Sequence, residues 1–311
     1  MSVTDIFPFT VPTSDGLVLA GSRCGPSFAA ATVVYVHGLL CDGNWWQPLT
    51  EQLHDRLDRQ IAQIVWDQRG HGRSSRPHRS IETTLDQMAD DLDTVLTQAT
   101  GSVVLVTHSA GSMIAAAYAQ RYPARAAALA GVVLFNPAGE FPEFPSLPRH
   151  FTTAAARIKG LRRGRLDHVA AAAATVAERR FRRTARRLGS KAPLATGARP
   201  GDPRVLADLM HAYRHFYLDP DIATALRSVP SFVITGDRDR VVPAAQSTRF
   251  AEKIWADQQV VPDAGHSLPR SDPVIAAETI VAALDVAYHA DVDQLLLDQD
   301  GELATDTDSA P

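Results

Sequence analysis

A chain of 311 residues, 45% of them hydrophobic, is long enough to bury one large α/β core, as a single domain or as one domain carrying an insert. Its formal net charge of −4 argues against nucleic acid or a membrane surface as partner of the whole molecule, and no run approaches the roughly 18 apolar residues of a membrane span. The opening Met-Ser-Val-Thr-Asp-Ile-Phe-Pro has no basic segment followed by an apolar one, so no signal peptide is expected and the cytoplasm is the expected compartment.

The first 24 residues, with Leu17-Val-Leu-Ala20, suggest an antiparallel hairpin at a sheet edge. Val33–Val36 is the first clear buried strand, followed by Ile61–Trp66, Val103–Thr107, Val132–Phe135, Phe232–Thr235 and Gln259–Val261. Helical patterns lie between them, at Trp46–Leu57, Leu85–Gln98, Ser112–Arg121 and Ala244–Trp255. Continuous apolar strands suit a sheet covered on both faces, and their alternation with helices predicts a doubly wound, mostly parallel sheet of the α/β class. The rhythm breaks after Phe135. Pro142, Pro145 and Pro148 punctuate a loop, an Ala/Arg-rich helical region runs to about Leu188, a Pro/Gly-rich linker spans Pro193–Pro203, and a helix covers Val205–Tyr217. Residues 137–228 therefore read as an inserted helical cap, residues 1–136 and 229–290 as one core domain, and residues 291–311 as a frayed tail.

Charge is unevenly spread. Arg149–Lys191 holds 13 Lys/Arg against 2 Asp/Glu, whereas Asp291–Pro311 holds 7 acids and no base. The bland reading of the basic run is a solvated helix face, and it is the favoured one. The sharper reading is a handle for an anionic substrate or a carrier-protein surface, and a third is pairing with the acidic tail. Cys24 and Cys41 lack metal-ligand spacing; one disulfide or two reduced thiols would both fit. His211 and His215 stand one helical turn apart, but with no Glu between them and no third ligand, so no metal site is expected.

The chemistry concentrates at strand ends. Thr107-His-Ser109-Ala-Gly111 follows an apolar strand and opens an Ala-rich helix, where a sharp turn would expose a nucleophilic hydroxyl. Thr107 stands where this pattern ordinarily has glycine, and a β-branched residue there crowds the helix behind it. Val33–Val36 ends in His37-Gly38-Leu39-Leu40, so the backbone N–H groups of Leu39 and Ala110 are candidate oxyanion donors. His37, Gly38, Leu40, Trp46 and His108 are the candidates for lining the substrate site, with His37 and Gly38 shaping the loop rather than moving protons. Asp67-Gln-Arg-Gly-His-Gly-Arg-Ser74 reads as a structural turn beside the site. Gly236-Asp-Arg-Asp-Arg-Val-Val-Pro243 offers Asp237 and Asp239 as the acid, the latter favoured by the loop before Pro243, while Asn136 cannot carry the charge. Asp263-Ala-Gly-His266 offers the base, since a histidine with its ordinary pKa near 6.5 can take and return a proton at neutral pH.

These residues resemble the α/β-hydrolase superfamily over most of the chain outside the cap and the tail. His37-Gly to Trp46, the Asp67–Ser74 run, the serine turn and Gly265-His266 are similar to its capped esterase and peroxidase-like branch, common in actinobacteria. The family pattern Gly-x-x-Asp-x-x-x-Pro falls on Gly236, Asp239 and Pro243, which implies Asp239 as the acid. The serine at 109 separates the chain from the epoxide hydrolases and dehalogenases of that fold, which carry aspartate there. The resemblance implies hydrolysis of a small-molecule carboxylic ester or thioester by Ser109, His266 and Asp239 through an acyl-enzyme, with no cofactor. Perhydrolysis, C–C bond hydrolysis and acyl transfer in a biosynthetic pathway are rival uses of the same serine. A non-catalytic binding protein on this fold is the rival from another class, kept open by Thr107.

Overall fold

The computed structural model describes residues 6–57, 60–141, 201–286 and 288. The basic run, the linker before Gly201 and the acidic tail fall outside these residues, as does the greater part of the expected cap. Eight strands form one sheet: β1 (Ile6–Pro12), β2 (Val18–Cys24), β3 (Ala31–Val36), β4 (Ala62–Asp67), β5 (Ser102–His108), β6 (Gly131–Phe135), β7 (Ser231–Gly236) and β8 (Asp257–Val261), in the order β1-β2-β4-β3-β5-β6-β7-β8. The β1–β2 and β2–β4 pairs are antiparallel and every later pair is parallel.

The helices are α1 (Gln47–Arg56), entered through a 3-10 turn at Gly43–Trp46, then α2 (Leu85–Leu96), α3 (Gly111–Arg121), α4 (Pro123–Ala127), α5 (Pro203–His215), α6 (Pro220–Arg227), α7 (Ala244–Ile254), α8 (Leu268–Ser271) and α9 (273–286). Their starts follow from local chemistry. Thr84 and Gln87 close a reciprocal capping box on α2, and Asp202 and Asp219 cap α5 and α6 with a proline in the first turn of each.

The apolar runs read from the sequence are buried on both faces. Val33, Tyr35, Val104, Val106, Val133 and Phe135 project into one cluster, closed by Leu49 and Leu53 of α1 and Ala276 and Ile280 of α9. Their neighbours Val34, Val36, Leu105, Val132 and Leu134 project into the other, closed by α2, α3, α6 and α7. Period-two alternation thus feeds two cores at once, which is why these strands are not amphipathic. The edge strand β8 differs. It starts two residues earlier than its apolar run suggests, because Asp257 to Val260 are exposed and only Val261 is buried. Helix α3 is buried from Gly111 through Ala119, and its small side chains let it lie close to the sheet.

Within the expected cap, α6 buries Ile222, Ala223 and Leu226 in the same cluster as Leu134 and Val233. Asp202 N–H donates to Gly70 O at 2.7 Å, and Leu206 of α5 packs on Leu40. Among the described residues no helix is long and apolar enough to cross a membrane.

Candidate active site

Strain gathers at the C-terminal edge of the sheet. Leu40 after β3, Ser109 after β5, Asn136 after β6 and Asp263 after β8 all have positive φ, at 64°, 54°, 50° and 61°. Left-handed backbone costs a non-glycine residue about 1–2 kcal/mol, and such residues persist where surrounding contacts over-determine them. At Ser109 those contacts are visible. Its N–H donates to Phe135 O at 3.0 Å, and its carbonyl accepts the Ser112 hydroxyl at 2.6 Å. Ser112 Oγ also accepts the Ala138 N–H at 3.1 Å, tying the turn to the loop after β6. A Cβ at Gly111 would lie 2.7 Å from Val36 O, so the helix start approaches β3 as only glycine allows. Thr107 is fully buried in register with Val36 and Leu134, and its hydroxyl has no partner among the described residues.

The expected base and acid meet this serine. His266 Nε2 lies 3.0 Å from Ser109 Oγ, and His266 Nδ1 lies 2.7 Å from Asp239 Oδ2. The Asp239 carboxylate is fully buried, and its other oxygen accepts the N–H groups of Val241 and Val242 at 2.7 and 2.9 Å. Asp237, two residues earlier, is exposed, with its backbone N–H on Val261 O. Asp239 and His266 come from different loops, and Gly236 permits their approach: a Cβ there would collide with Ala264 O, while Arg238 N–H donates to that same oxygen at 2.9 Å.

The loop after β3 closes the opposite side. A Cβ at Gly38 would sit 3.0 Å from His108 Nδ1 and 3.3 Å from Ser109 Cβ, so glycine lets this loop lie against the serine turn. The N–H groups of Leu39 and Ala110 have no acceptor among the described residues. Leu40 packs on Leu206 with Leu39 beside it, an apolar patch above the turn.

Three residues expected to line the substrate serve other contacts instead. Trp46 is 1% exposed, tilted against Tyr35 and edge-on to Trp45, and belongs to the core behind the site. The apolar burial of a large indole outweighs its placement near the mouth in sequence. His108 is buried, stacks on Trp45 at 4.2 Å, and its Nε2 donates to His266 O at 2.7 Å. Burial, with His266 nearby, holds its imidazole well below the ordinary histidine range, so it is neutral. His37 is buried too. Its Nδ1–H donates to Gly38 O at 3.0 Å and its Nε2 accepts the Gln68 N–H at 3.1 Å, while Gln68 Nε2 donates to His37 O at 2.6 Å. His37 thus shapes the loop, with an imidazole depressed by burial and by His71.

The Asp67–Ser74 run is a strut. Asp67 accepts the N–H groups of Gly43 and Arg73 at 2.8 and 2.9 Å, joining the loops after β3 and β4. Arg69 is buried and reaches Asp91 on α2 at 2.6 Å and Asp15 in the β1–β2 turn at 2.8 Å. One contact escapes a reading by residue type: Asn136 Nδ2 donates to Asp239 Oδ2 at 2.6 Å. Its signal in the sequence was only its place at the end of β6.

The family model described as serine aminopeptidase, S33, matches residues 28–271. The 2-(acetamidomethylene)succinate hydrolase of Mesorhizobium japonicum is 26% identical over 266 residues, which span 81% of this chain and 87% of that one. A thermophilic esterase from Thermogutta terrifontis superposes with a TM-score of 0.63 at 23% identity, covering 90% of this chain and 99% of the other. The enol-lactonase of Burkholderia xenovorans LB400 gives 0.62 at 21% identity, covering 89% and 100%.

Proposed function

From a chain that belongs to the serine aminopeptidase, S33, family and is an α/β hydrolase, we propose a serine hydrolase that cleaves a carboxylic ester or thioester of a small molecule through an acyl-enzyme. The observation that carries this reading is the unbroken line from Ser109 Oγ to His266 Nε2 at 3.0 Å and from His266 Nδ1 to Asp239 Oδ2 at 2.7 Å. In this reading Ser109 Oγ attacks the carbonyl carbon as His266 Nε2 takes its proton. Asp239 holds the ring so that Nδ1 carries its proton and Nε2 is the base, and it stabilises the imidazolium that forms. The N–H groups of Leu39 and Ala110 receive the oxyanion, where donors fixed before reaction cost no reorganisation. Collapse expels the alcohol or thiol, protonated by His266. Water, deprotonated by the same ring, then releases the acid and restores Ser109.

The substrate enters over the apolar patch of Leu39, Leu40 and Leu206. The curated relative's name describes a hydrolase of an acetamidomethylene succinate, so the substrate panel extends to small amides and to substrates bearing carboxylates. A fluorophosphonate should label the protein at neutral pH, and Ser109→Ala should abolish labelling. Absence of labelling in the wild type would sink the proposal in favour of a binding protein. A panel of esters and thioesters varying acyl length and charge then defines the substrate. Product analysis with added peroxide or alcohol separates hydrolysis from perhydrolysis and acyl transfer.

A further inference from the structure

Resting on the assignment of Asp239 as the acid, we infer that Asn136 is a positioning residue for the reaction, acting on the carboxylate that orients the base. An ionised carboxylate has about four acceptor positions. At Asp239 four donors occupy them: the N–H groups of Val241 and Val242 on Oδ1, and His266 Nδ1–H and Asn136 Nδ2–H on Oδ2. Without Asn136 the oxygen that receives the imidazole proton would have His266 alone. The carboxylate could then turn about its side-chain bond and carry the ring with it.

Asn136 is itself held from several sides. It is fully buried, and its N–H donates to Ile234 O at 2.8 Å. The preceding carbonyl, of Phe135, accepts the Ser109 N–H, and the following one, of Pro137, accepts the Ser247 hydroxyl at 2.9 Å. Asn136 has a φ of 50°, and its carboxamide meets Asp239 in the loop just past β7. Asparagine tolerates this conformation better than most residues and supplies a donor where aspartate would supply a second charge. The backbone here therefore links the serine turn to the acid: Phe135 O holds Ser109, and the next side chain holds Asp239.

The test separates the donor from the turn. Asn136→Gly keeps the left-handed backbone and deletes the carboxamide. Asn136→Asp keeps the shape but sets a second carboxyl against Asp239 where the N–H donor stood. Both variants should lower kcat, Asn136→Gly by about tenfold or more as one hydrogen bond to a charged group is lost, with KM nearly constant. The downfield NMR resonance of the His266 Nδ1 proton, read on the uninhibited proteins, should move in both variants. Asn136→Gly retaining kcat within about twofold, or a resonance unmoved in both variants, would overturn the inference. Wild type unlabelled by fluorophosphonate would instead sink the hydrolase reading, while the resonance still reports the Asn136–Asp239–His266 connection.

Discussion

His108 Nε2 lies 2.7 Å from the backbone carbonyl oxygen of His266. The residue before the proposed nucleophile thus grips the loop that carries the proposed base, from a ring itself stacked on Trp45. His108→Ala should lower kcat/KM by about tenfold or more through a misplaced imidazole, because small displacements of reacting groups are costly. His108→Gln, which keeps an N–H donor, should recover part of the loss. Steady-state kinetics on the best ester of the panel decides it; an alanine variant as fast as wild type would mean that other contacts hold the loop.

Buried neutral histidines make stability fall with acid. Burial lowers the folded-state pKa of His37, His71 and His108, so the unfolded chain binds their protons first. The sign is that of a base depressed on folding: the contribution is intact above the unfolded value near 6.5 and is lost as pH falls toward the folded value. Each such group costs about 1.4 kcal/mol per pH unit inside that window. Urea unfolding at pH 7.5, 6.5 and 5.5 should show a steepening decline. His108→Gln should be less stable at pH 7.5 yet show a shallower decline; an identical slope would refute this account of His108.

The two carboxylates of the Gly236–Pro243 loop should part company under substitution. Asp239→Asn removes the acceptor for His266 Nδ1–H and should reduce kcat on the order of a thousandfold or more. Exposed Asp237→Asn should stay within about twofold of wild type. Equal losses in the two variants would reassign the acid.

Gly236→Ala should damage activity and stability together. The added methyl would collide with the Ala264 carbonyl, a backbone atom, so the Asp239 and His266 loops must separate. Overpacking of this kind costs about 1–3 kcal/mol. Thermal unfolding and fluorophosphonate labelling rate would be read side by side, and an alanine variant matching wild type in both would contradict the packing argument.

Arg69→Met should be among the most destabilising single changes. It strands Asp91, whose side chain is fully buried and whose carboxyl burial already pushes up to about 6. Removing one partner of a buried pair costs about 3–5 kcal/mol, whereas replacing both is far milder. Chemical denaturation of Arg69→Met and of Arg69→Met/Asp91→Asn should show the double variant as the more stable. The reverse order would mean that the pair's charge itself is favourable.

The strands were legible because a sheet buried on both faces needs unbroken apolar runs, as at Val33–Val36 and Val132–Phe135. The failures have equally local causes. Asp257-Gln258 hid the start of β8, since an edge strand can pair without burying its side chains. Trp46 was assigned to the substrate by its position in the chain, but its side chain turns into the core. His108 was chosen by residue type, and only its neighbours show it as a strut.

The residue types and order of Ser109, Asp239 and His266 lie in the sequence alone, because each stands just past an apolar run with small or turn-forming neighbours. Tertiary structure sets the distance at which Asp239, already favoured over Asp237 in the sequence, meets the ring, and supplies the asparagine that completes its hydrogen bonding. Those facts depend on distances between loops 27 and 103 residues apart along the chain. Such distances are fixed by how β6, β7 and β8 pack, and no local pattern of residues encodes them.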